Sequence, residues 1–173
     1  MNLDNIKIDN FEKISAFIEI PYRSNIKYEL NKEAETIEVD RVLFSSIYYP
    51  ANYGFIPNTL SDDGDPIDIL VINENSFQAG SIVKCRLVGV LITEDESGMD
   101  EKLIAVPISK IDAMYNNIKD INDLGESTLN KIKNFFETYK LLEPNKWVKV
   151  KNYLDKKEAI SILKKSIESF NKK

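Results

Sequence analysis

The most restrictive feature of the sequence is an acidic turn at residues 63–68, which reads Asp-Gly-Asp-Pro-Ile-Asp. In an unbroken strand, Asp63 and Asp65 would face one side and Asp68 the other. The glycine permits backbone angles that other residues avoid, and the proline removes a hydrogen-bond donor from the ladder. The run is therefore predicted to be a turn or bulge that enters a strand, where the three carboxylates can converge. Because converging carboxylates repel one another, a cation must neutralise them.

The composition favours a hard cation at this turn. The chain has no histidine and one cysteine, Cys85, which lies in an apolar run and is predicted to be a buried small residue in a reducing compartment. Oxygen ligands alone suit Mg²⁺ or Mn²⁺. An ordinary acidic surface turn is the alternative for residues 63–65 taken alone. An EF-hand calcium loop fails on spacing, because Ile67 stands where its fifth position needs an oxygen ligand.

Length and charge limit the class of protein. A chain of 173 residues with 43% hydrophobic residues suits a single domain, residues 1–173, with a real core. The net charge of −5 argues against nucleic acid or an anionic membrane as a partner. We find no apolar run of signal-peptide or membrane-spanning length, so we expect a cytoplasmic protein. An enzyme of this charge acting on an anion must invert its local potential, which bound metal ions do directly.

Alternating apolar residues predict a series of strands before residue 108. If the first two of these pair as a hairpin, Glu19, Lys27 and Glu29 can share one polar face, although a solvated sheet face is the alternative. Arg41 lies on the same side of its strand as the apolar Ile37 and Val39. Alternation does not explain a charge there, but an ending strand or an inward-facing charged site does. Gly89 indicates a bulge. The predicted strands are residues 16–21, 26–30, 36–42, 67–72, 81–92 and 103–107, and a second acidic loop is predicted at 94–102.

The period then changes to that of helices. Apolar residues at intervals of three and four predict a helix over residues 127–142, with Ser127 as its N-cap and Pro144 as its stop. A short strand at 147–150 and a second helix at 155–170 follow. Strands followed by two helices predict an α+β fold, a small closed β-barrel with helices packed on it.

Several motifs occur together in the order found in the family I inorganic pyrophosphatases, which the chain resembles from Ile18 to about Lys151. The acidic turn at 63–68 is that family's signature. The resemblance implies an OB-like five-stranded closed β-barrel with flanking α-helices. The other matching motifs are Ile18-Glu-Ile-Pro21, Lys27-Tyr-Glu29, Asp40-Arg41, Tyr49-Pro-x-Asn-Tyr53-Gly, Asp95 through Asp100-x-Lys102, and Tyr139-Lys140.

The resemblance also implies a role for each matching residue. Asp65 matches the general base beside the attacking water. The residues matching metal ligands are Asp63, Asp68, Asp95, Asp100 and, through metal-bound water, Glu19. The residues matching those that bind the two phosphates or lie beside them are Lys27, Arg41, Tyr53, Lys102, Tyr139 and Lys140. The residues matching supporting positions in the pocket are Glu29 and Tyr49.

The activity implied by the resemblance is hydrolysis of inorganic pyrophosphate to two orthophosphates by a metal-activated water, without a covalent phospho-enzyme. Several Mg²⁺ ions would serve each active site, with Mn²⁺ or Zn²⁺ as substitutes. Two alternatives stay open. A phosphatase with an aspartate nucleophile would need an apolar strand running into Asp63, whereas residues 58–62 do not form one. A non-catalytic OB-type binding module for single-stranded nucleic acid would use a basic groove.

The chain departs from the family pattern at two positions. Thr138 stands where many relatives carry a histidine, and Asn145 replaces a common glycine. The resemblance implies a homo-oligomer, a hexamer of two stacked trimers, but a chain without histidine cannot make the histidine contacts of those relatives. The lysine-rich tail from about Asp155 lies outside the resemblance, and the sequence assigns it no function.

Overall fold

In the computed structural model, a ring of strands carries two α-helices, α1 at Glu126–Thr138 and α2 at Lys156–Asn171. The structure describes residues 3–172, so Met1, Asn2 and Lys173 of the predicted domain lie outside it. Among the described residues, no helix is long and apolar enough to cross a membrane. The strands are β1 Ile14–Ile20, β2 Ile26–Asn31, β3 Thr36–Val42, β4 Asn52–Phe55, β5 Asp68–Val71, β6 Ile82–Asp95, β7 Gly98–Pro107 and β8 Val148–Asp155.

Five strands close the ring in the order β1–β4–β5–β7–β6, because β6 pairs back onto β1. The β5–β7 pair is parallel and the other ring pairs are antiparallel. The predicted five-stranded closed barrel is therefore confirmed, and β8 extends the sheet beyond β6. Strands β2 and β3 form a separate two-stranded ribbon. The first two strands do not pair as a hairpin, because closing the ring takes both edges of β1.

Strand β6 serves several neighbours because it is long and bends at Gly89. Its register with β7 shifts between Leu87 and Gly89, which confirms the predicted bulge. The part before the bend pairs with β1, and the part from Gly89 onward pairs with β8. A Cβ atom at Gly89 would lie 2.7 Å from the carbonyl oxygen of Leu154 and 2.7 Å from Cβ of Ile121. The missing side chain therefore lets β8 approach the bend.

Several predicted boundaries differ from the structure. The predicted acidic loop at 94–102 is a hairpin, since β6 runs to Asp95 and β7 begins at Gly98. Helix α1 ends at Thr138, before the predicted end at 142, where the Thr138 hydroxyl donates to the Asn134 carbonyl oxygen at 2.7 Å. Its N-cap is Gly125, with a φ of 79° and no side-chain cap. The strand predicted at 147–150 continues through residue 155, because it pairs along β6.

Alternating side chains of the ring pack into two apolar clusters on opposite faces of the sheet. Along β5, Ile69 and Val71 belong to one cluster and Leu70 to the other. Helix α2 packs on the first cluster through buried Ala159 and Leu163. Helix α1 packs on the second through buried Ile132, Phe135 and Phe136, and Tyr139 follows them at the helix end.

The close contact between Gly54 on β4 and the backbone of β1 allows the closure of the ring to be tested by mutation. A Cβ atom there would lie 1.8 Å from the carbonyl oxygen of Phe17 on β1, so Gly54→Ala must push β4 away from its partner. We expect the free energy of unfolding to fall by about 3 kcal/mol, measured by chemical denaturation. Gly98→Ala is the control, because Gly98 has a φ of 119° but no atom within 4 Å of an added Cβ. That variant should lose about 1 kcal/mol from backbone strain, and equal losses would contradict the steric account.

Candidate active site

A cleft of about 550 Å³ opens over the β2–β3 ribbon, the acidic turn and the segment that follows α1. Its lining includes every predicted site residue except Asp95 and Tyr49. The predicted residues that line it are Glu19, Lys27, Glu29, Arg41, Tyr53, Asp63, Asp65, Asp68, Asp100, Lys102, Tyr139 and Lys140.

The two exceptions lie directly behind the lining. Asp95 forms an ion pair with Lys140, which lines the cleft; the Lys140 Nζ is 3.0 Å from Asp95 Oδ2. Tyr49 is 2% exposed, and its ring centroid lies 5.5 Å from that of Tyr53 and 4.7 Å from that of Phe135. Tyr49 therefore supports the wall of the cleft, whereas Asp95 fixes one of its cations.

The floor of the cleft is set by the parallel pairing of β5 and β7, which puts Asp68 level with Lys102. Asp100 precedes Lys102 by two residues and so shares its face of the strand. The ammonium nitrogen of Lys102 lies 2.6 Å from Asp68 Oδ2 and 2.6 Å from Asp100 Oδ2. The hydroxyl of Tyr53 donates to Asp68 Oδ2 at 2.5 Å. One buried cation thus bridges two carboxylates that come from different strands.

Lys102 stays charged although its side chain is only 4% exposed. Burial by itself lowers the pKa of an ammonium, but Asp68 and Asp100 more than offset that effect and raise the pKa of Lys102. Its Nζ also lies 5.8 Å from the ring centroid of Tyr53 and 5.7 Å from that of Phe136. These aromatic rings therefore contribute to the enclosure of the cation.

The acidic turn lies in the loop between β4 and β5, as predicted. The backbone N–H of Asp65 donates to Asp63 Oδ1 at 3.0 Å, and the Asp65 carbonyl oxygen accepts from Ser61 N–H at 2.7 Å. Burial, and then the nearby charges of Asp65 and Asp100, raise the pKa of Asp63. The turn is therefore held by its own hydrogen bonds and faces further negative charge across the cleft.

Glu19 connects the ring to the ribbon even though β1 and β2 do not pair. Its Oε1 accepts a hydrogen bond from the Leu30 N–H at 2.7 Å. Burial, and then repulsion from Asp68 and Glu29, raise the pKa of Glu19 to about 7. The carboxyl of Glu19 thus belongs to the same crowded acidic group as the turn.

Two basic residues from the ribbon complete the cleft. Lys27 pairs with Glu29 and lies 3.3 Å from Asp40 Oδ2. Arg41 stands opposite Lys27, and the register then slips so that Val39 pairs with the next residue along β2. Arg41 is an inward-facing charged residue of the cleft, with 22% of its side chain exposed, whereas Val39 is 61% exposed, because this bulge changes the alternation along β3.

The carboxylates fit a hard divalent cation by the chemistry of their oxygen donors. Within residues 3–172, no three Asp, Glu, His or Cys side chains converge closely enough to enclose an ion. The Lys102 ammonium lies between Asp68 and Asp100, where it takes up their negative charge. The pKa of Asp100 is nevertheless raised, by burial and then by Asp68, in the same direction as that of Asp63. Burial and the neighbouring carboxylate therefore disfavour the ionised form of Asp100, which a bound cation would favour.

Sequence reasoning missed four charged residues of the cleft, Lys32, Glu33, Glu143 and Lys146, of which the last two follow α1. Glu143 Oε1 accepts from Arg41 Nε at 3.0 Å. Lys146 Nζ lies 2.5 Å from Glu96 Oε1. The available signal was their spacing, since Lys140, Glu143 and Lys146 recur every third residue after the helix. That spacing could have indicated one shared face.

Comparisons with known proteins identify relatives of this chain. A family model described as inorganic pyrophosphatase matches residues 16–171. The chain is 67% identical over 171 residues to the inorganic pyrophosphatase of Campylobacter jejuni, with 98% of this chain and 99% of the relative covered. The solved structure of the Helicobacter pylori inorganic pyrophosphatase has a TM-score of 0.94 at 58% identity and covers 96% of this chain and 99% of that one. The Thermus thermophilus inorganic pyrophosphatase has a TM-score of 0.92 at 40% identity, with coverage of 96% and 95%.

The bridge formed by Lys102 can be tested without an activity assay. Lys102→Met keeps the length of the side chain and its ring contacts but leaves Asp68 and Asp100 unpaired. In EDTA, we expect the free energy of unfolding to fall by about 2 kcal/mol, which is below the usual cost for a fully buried pair because the carboxylates are partly exposed. Millimolar Mg²⁺ should then raise the melting temperature of the variant more than that of the original protein.

The matched control is Lys133→Met, which removes one partner of an exposed pair on α1, where Lys133 Nζ lies 3.8 Å from Glu137 Oε1. An exposed helix pair contributes about 0.3–0.5 kcal/mol. If both variants lost equally little stability and responded equally to Mg²⁺, the neutralising role of Lys102 would be wrong.

Proposed function

The chain belongs to family I of the inorganic pyrophosphatases, in its short bacterial form, and we propose that it hydrolyses inorganic pyrophosphate to two orthophosphates. The observation that carries the proposal is one cleft in which basic side chains alternate with crowded carboxylates. Pyrophosphate is a compact polyanion, so its binding needs the basic groups. The carboxylates supply the oxygen donors that divalent cations need. The proposed active unit is the whole predicted domain, residues 1–173.

The family is metal-dependent, and we propose that Mg²⁺ is the cation, with several ions per site and Mn²⁺ or Zn²⁺ as substitutes. When bound, divalent cations neutralise phosphate oxygens and bring the pKa of the attacking water near neutrality. The residues proposed to hold them are Asp63, Asp68, Asp95, Asp100 and, through water, Glu19.

Asp65 is the proposed general base. Its carboxylate accepts a proton from the attacking water, whose oxygen forms a bond to one phosphorus atom. The bond between that phosphorus and the bridging oxygen breaks, and the leaving phosphate takes the electron pair, so no covalent phospho-enzyme forms. The hydrogen bond from Asp65 N–H to Asp63 Oδ1 supports this role, because it fixes the backbone that carries the base.

The basic side chains and phenols of the cleft are proposed to bind the two phosphates. Every one of these basic side chains is paired with a carboxylate in the structure. Phosphate oxygens can replace those carboxylates as the partners of the lysines and can bind the free N–H groups of Arg41. Electrostatic groups of this kind typically contribute about 10²–10³ each to the rate. The proposed phosphate-binding residues are Lys27, Arg41, Tyr53, Lys102, Tyr139 and Lys140, with Glu29 and Tyr49 in support.

The two alternative functions gain no specific support. The loop before Asp63 is fixed by the Leu60 N–H, which donates to the Ser166 carbonyl oxygen at 2.9 Å, and no apolar strand runs into that aspartate. A nucleophilic aspartate is therefore disfavoured. A nucleic-acid module is disfavoured because the cleft is rich in carboxylates.

We also propose a homo-oligomer, a hexamer by resemblance to the family. Large apolar side chains on the surface are consistent with an assembly that covers them. Tyr48 is 61% exposed, Met114 86% and Leu141 69%.

The direct test of function is phosphate release from pyrophosphate by the purified protein in Mg²⁺, with and without EDTA. We expect fast release that EDTA abolishes, and little release from a nucleoside triphosphate or a phosphate monoester. An absence of release from pyrophosphate in both Mg²⁺ and Mn²⁺ would overturn the proposed activity.

The role of Asp65 is tested by Asp65→Asn, which keeps the shape of the side chain and removes the base. We expect turnover to fall by about 10²–10⁴-fold while the melting temperature and Mg²⁺ binding change little. Asp62→Asn in the same loop is the control, because Asp62 is 71% exposed, lies 3.3 Å from Lys165 Nζ and does not line the cleft. Turnover by Asp65→Asn at the rate of the original protein would remove Asp65 from the mechanism.

A further inference from the structure

Glu143 makes a contact that the proposed mechanism does not yet use. Its Oε1 lies 3.0 Å from Nε and 2.9 Å from Nη2 of Arg41, a residue 102 positions earlier in the chain. The Glu143 side chain is 10% exposed and the Arg41 side chain 22%. This is therefore a largely buried ion pair in the wall of the cleft. It connects β3, which carries Arg41, to the segment after α1, which carries Glu143.

The contact holds Arg41 from two sides. Arg41 Nε and Nη2 engage Glu143, and Nη1 engages Asp40 from the same strand. A guanidinium has five N–H donors in a rigid plane, so these contacts leave donors free. The two carboxylates fix the plane of the guanidinium. Its remaining N–H groups can then donate two hydrogen bonds to one phosphate.

Glu143 belongs to a segment, residues 139–147, that is tied to the barrel at several points. Lys140 pairs with Asp95, and Lys146 pairs with Glu96, both at the end of β6. Glu143 adds a tie to β3 on another side of the cleft. The segment therefore forms one wall of the cleft, and its position is coupled to that of Arg41.

Stability alone is a poor explanation for this pair. Replacing a buried ion pair with apolar residues is often neutral or stabilising, because desolvation offsets the attraction between the charges. Arg41, the cation of this pair, also faces the cleft that is proposed to bind a polyanion. The pair is therefore better explained as a device that fixes the orientation of the guanidinium. Orientation fixed before binding lowers the entropic cost of engaging the substrate.

We propose that Glu143 is a positioning residue, which holds the Arg41 guanidinium so that its free N–H groups face a phosphate of the substrate. The inference rests on the proposed function, since it assigns Arg41 to pyrophosphate. Glu143 itself does not touch the reacting atoms.

The test compares Glu143→Ala and Glu143→Gln in steady-state hydrolysis of pyrophosphate with saturating Mg²⁺. We expect Glu143→Ala to lower kcat/KM by about 10–100-fold, less than the 10²–10³-fold typical of removing a direct electrostatic contributor, because Arg41 itself remains. Glu143→Gln keeps the acceptor oxygen and should recover part of that loss. Glu137→Ala is the control, because Glu137 forms an exposed pair with Lys133 on α1 and should leave the kinetics unchanged.

A double-mutant cycle separates positioning from general damage. In an Arg41→Met background, Glu143→Ala should cause no further loss of kcat/KM, because the guanidinium it orients is gone. The inference is overturned if Glu143→Ala has the rate of the original protein, or if its loss is the same with and without Arg41. An original protein that releases no phosphate would instead overturn the proposed function, so the two failures are distinguishable.

Discussion

Repulsion between carboxylates is the constraint on which the rest of the cleft depends. Asp68 and Asp100 come from different strands, and the parallel β5–β7 pair brings both to the same buried ammonium. That ammonium would lose its charge in an apolar site without them. Lys102 therefore depends on several parts of the fold together. The parallel pair in the closed ring keeps it charged beside the acidic groups, and the aromatic residues of α1 help to enclose it.

Charge compensation inside the cleft explains how a metal-dependent pyrophosphatase with a net negative charge can bind an anionic substrate. Each lysine proposed to bind phosphate has a carboxylate partner, as in the Lys140–Asp95 and Lys102–Asp68 pairs. When metal and pyrophosphate bind together, the carboxylates can turn to the metal and the basic groups to phosphate. The exchange preserves local neutrality, so substrate binding need not create a buried unpaired charge, which would be costly.

The sequence predicted the parts of the fold that depend on local pattern. Alternation located β1, β2 and β3, Gly89 indicated the bulge in β6, and the acidic turn was found from its glycine and proline. Pairing was harder to predict, because β1 and β2 both alternate and either could form a hairpin with its neighbour. The choice of β4 and β6 as partners of β1 follows from closing the ring, which is a property of the whole chain. The Arg41–Glu143 contact was missed for the same reason, since its partners lie 102 residues apart.

The two positions expected to depart from the family pattern, Thr138 and Asn145, lie immediately before and within the segment, residues 139–147, that forms one wall of the cleft. Asn145 has a φ of 61°, the left-handed region in which glycine is normal and which asparagine tolerates better than most residues. The replacement therefore preserves the turn that brings Lys146 toward Glu96. Thr138 ends α1 with its hydroxyl bonded back to Asn134, which releases the chain toward Tyr139 and the cleft. The backbone at Thr138 and Asn145 thus sets the path of the wall that places Glu143 against Arg41.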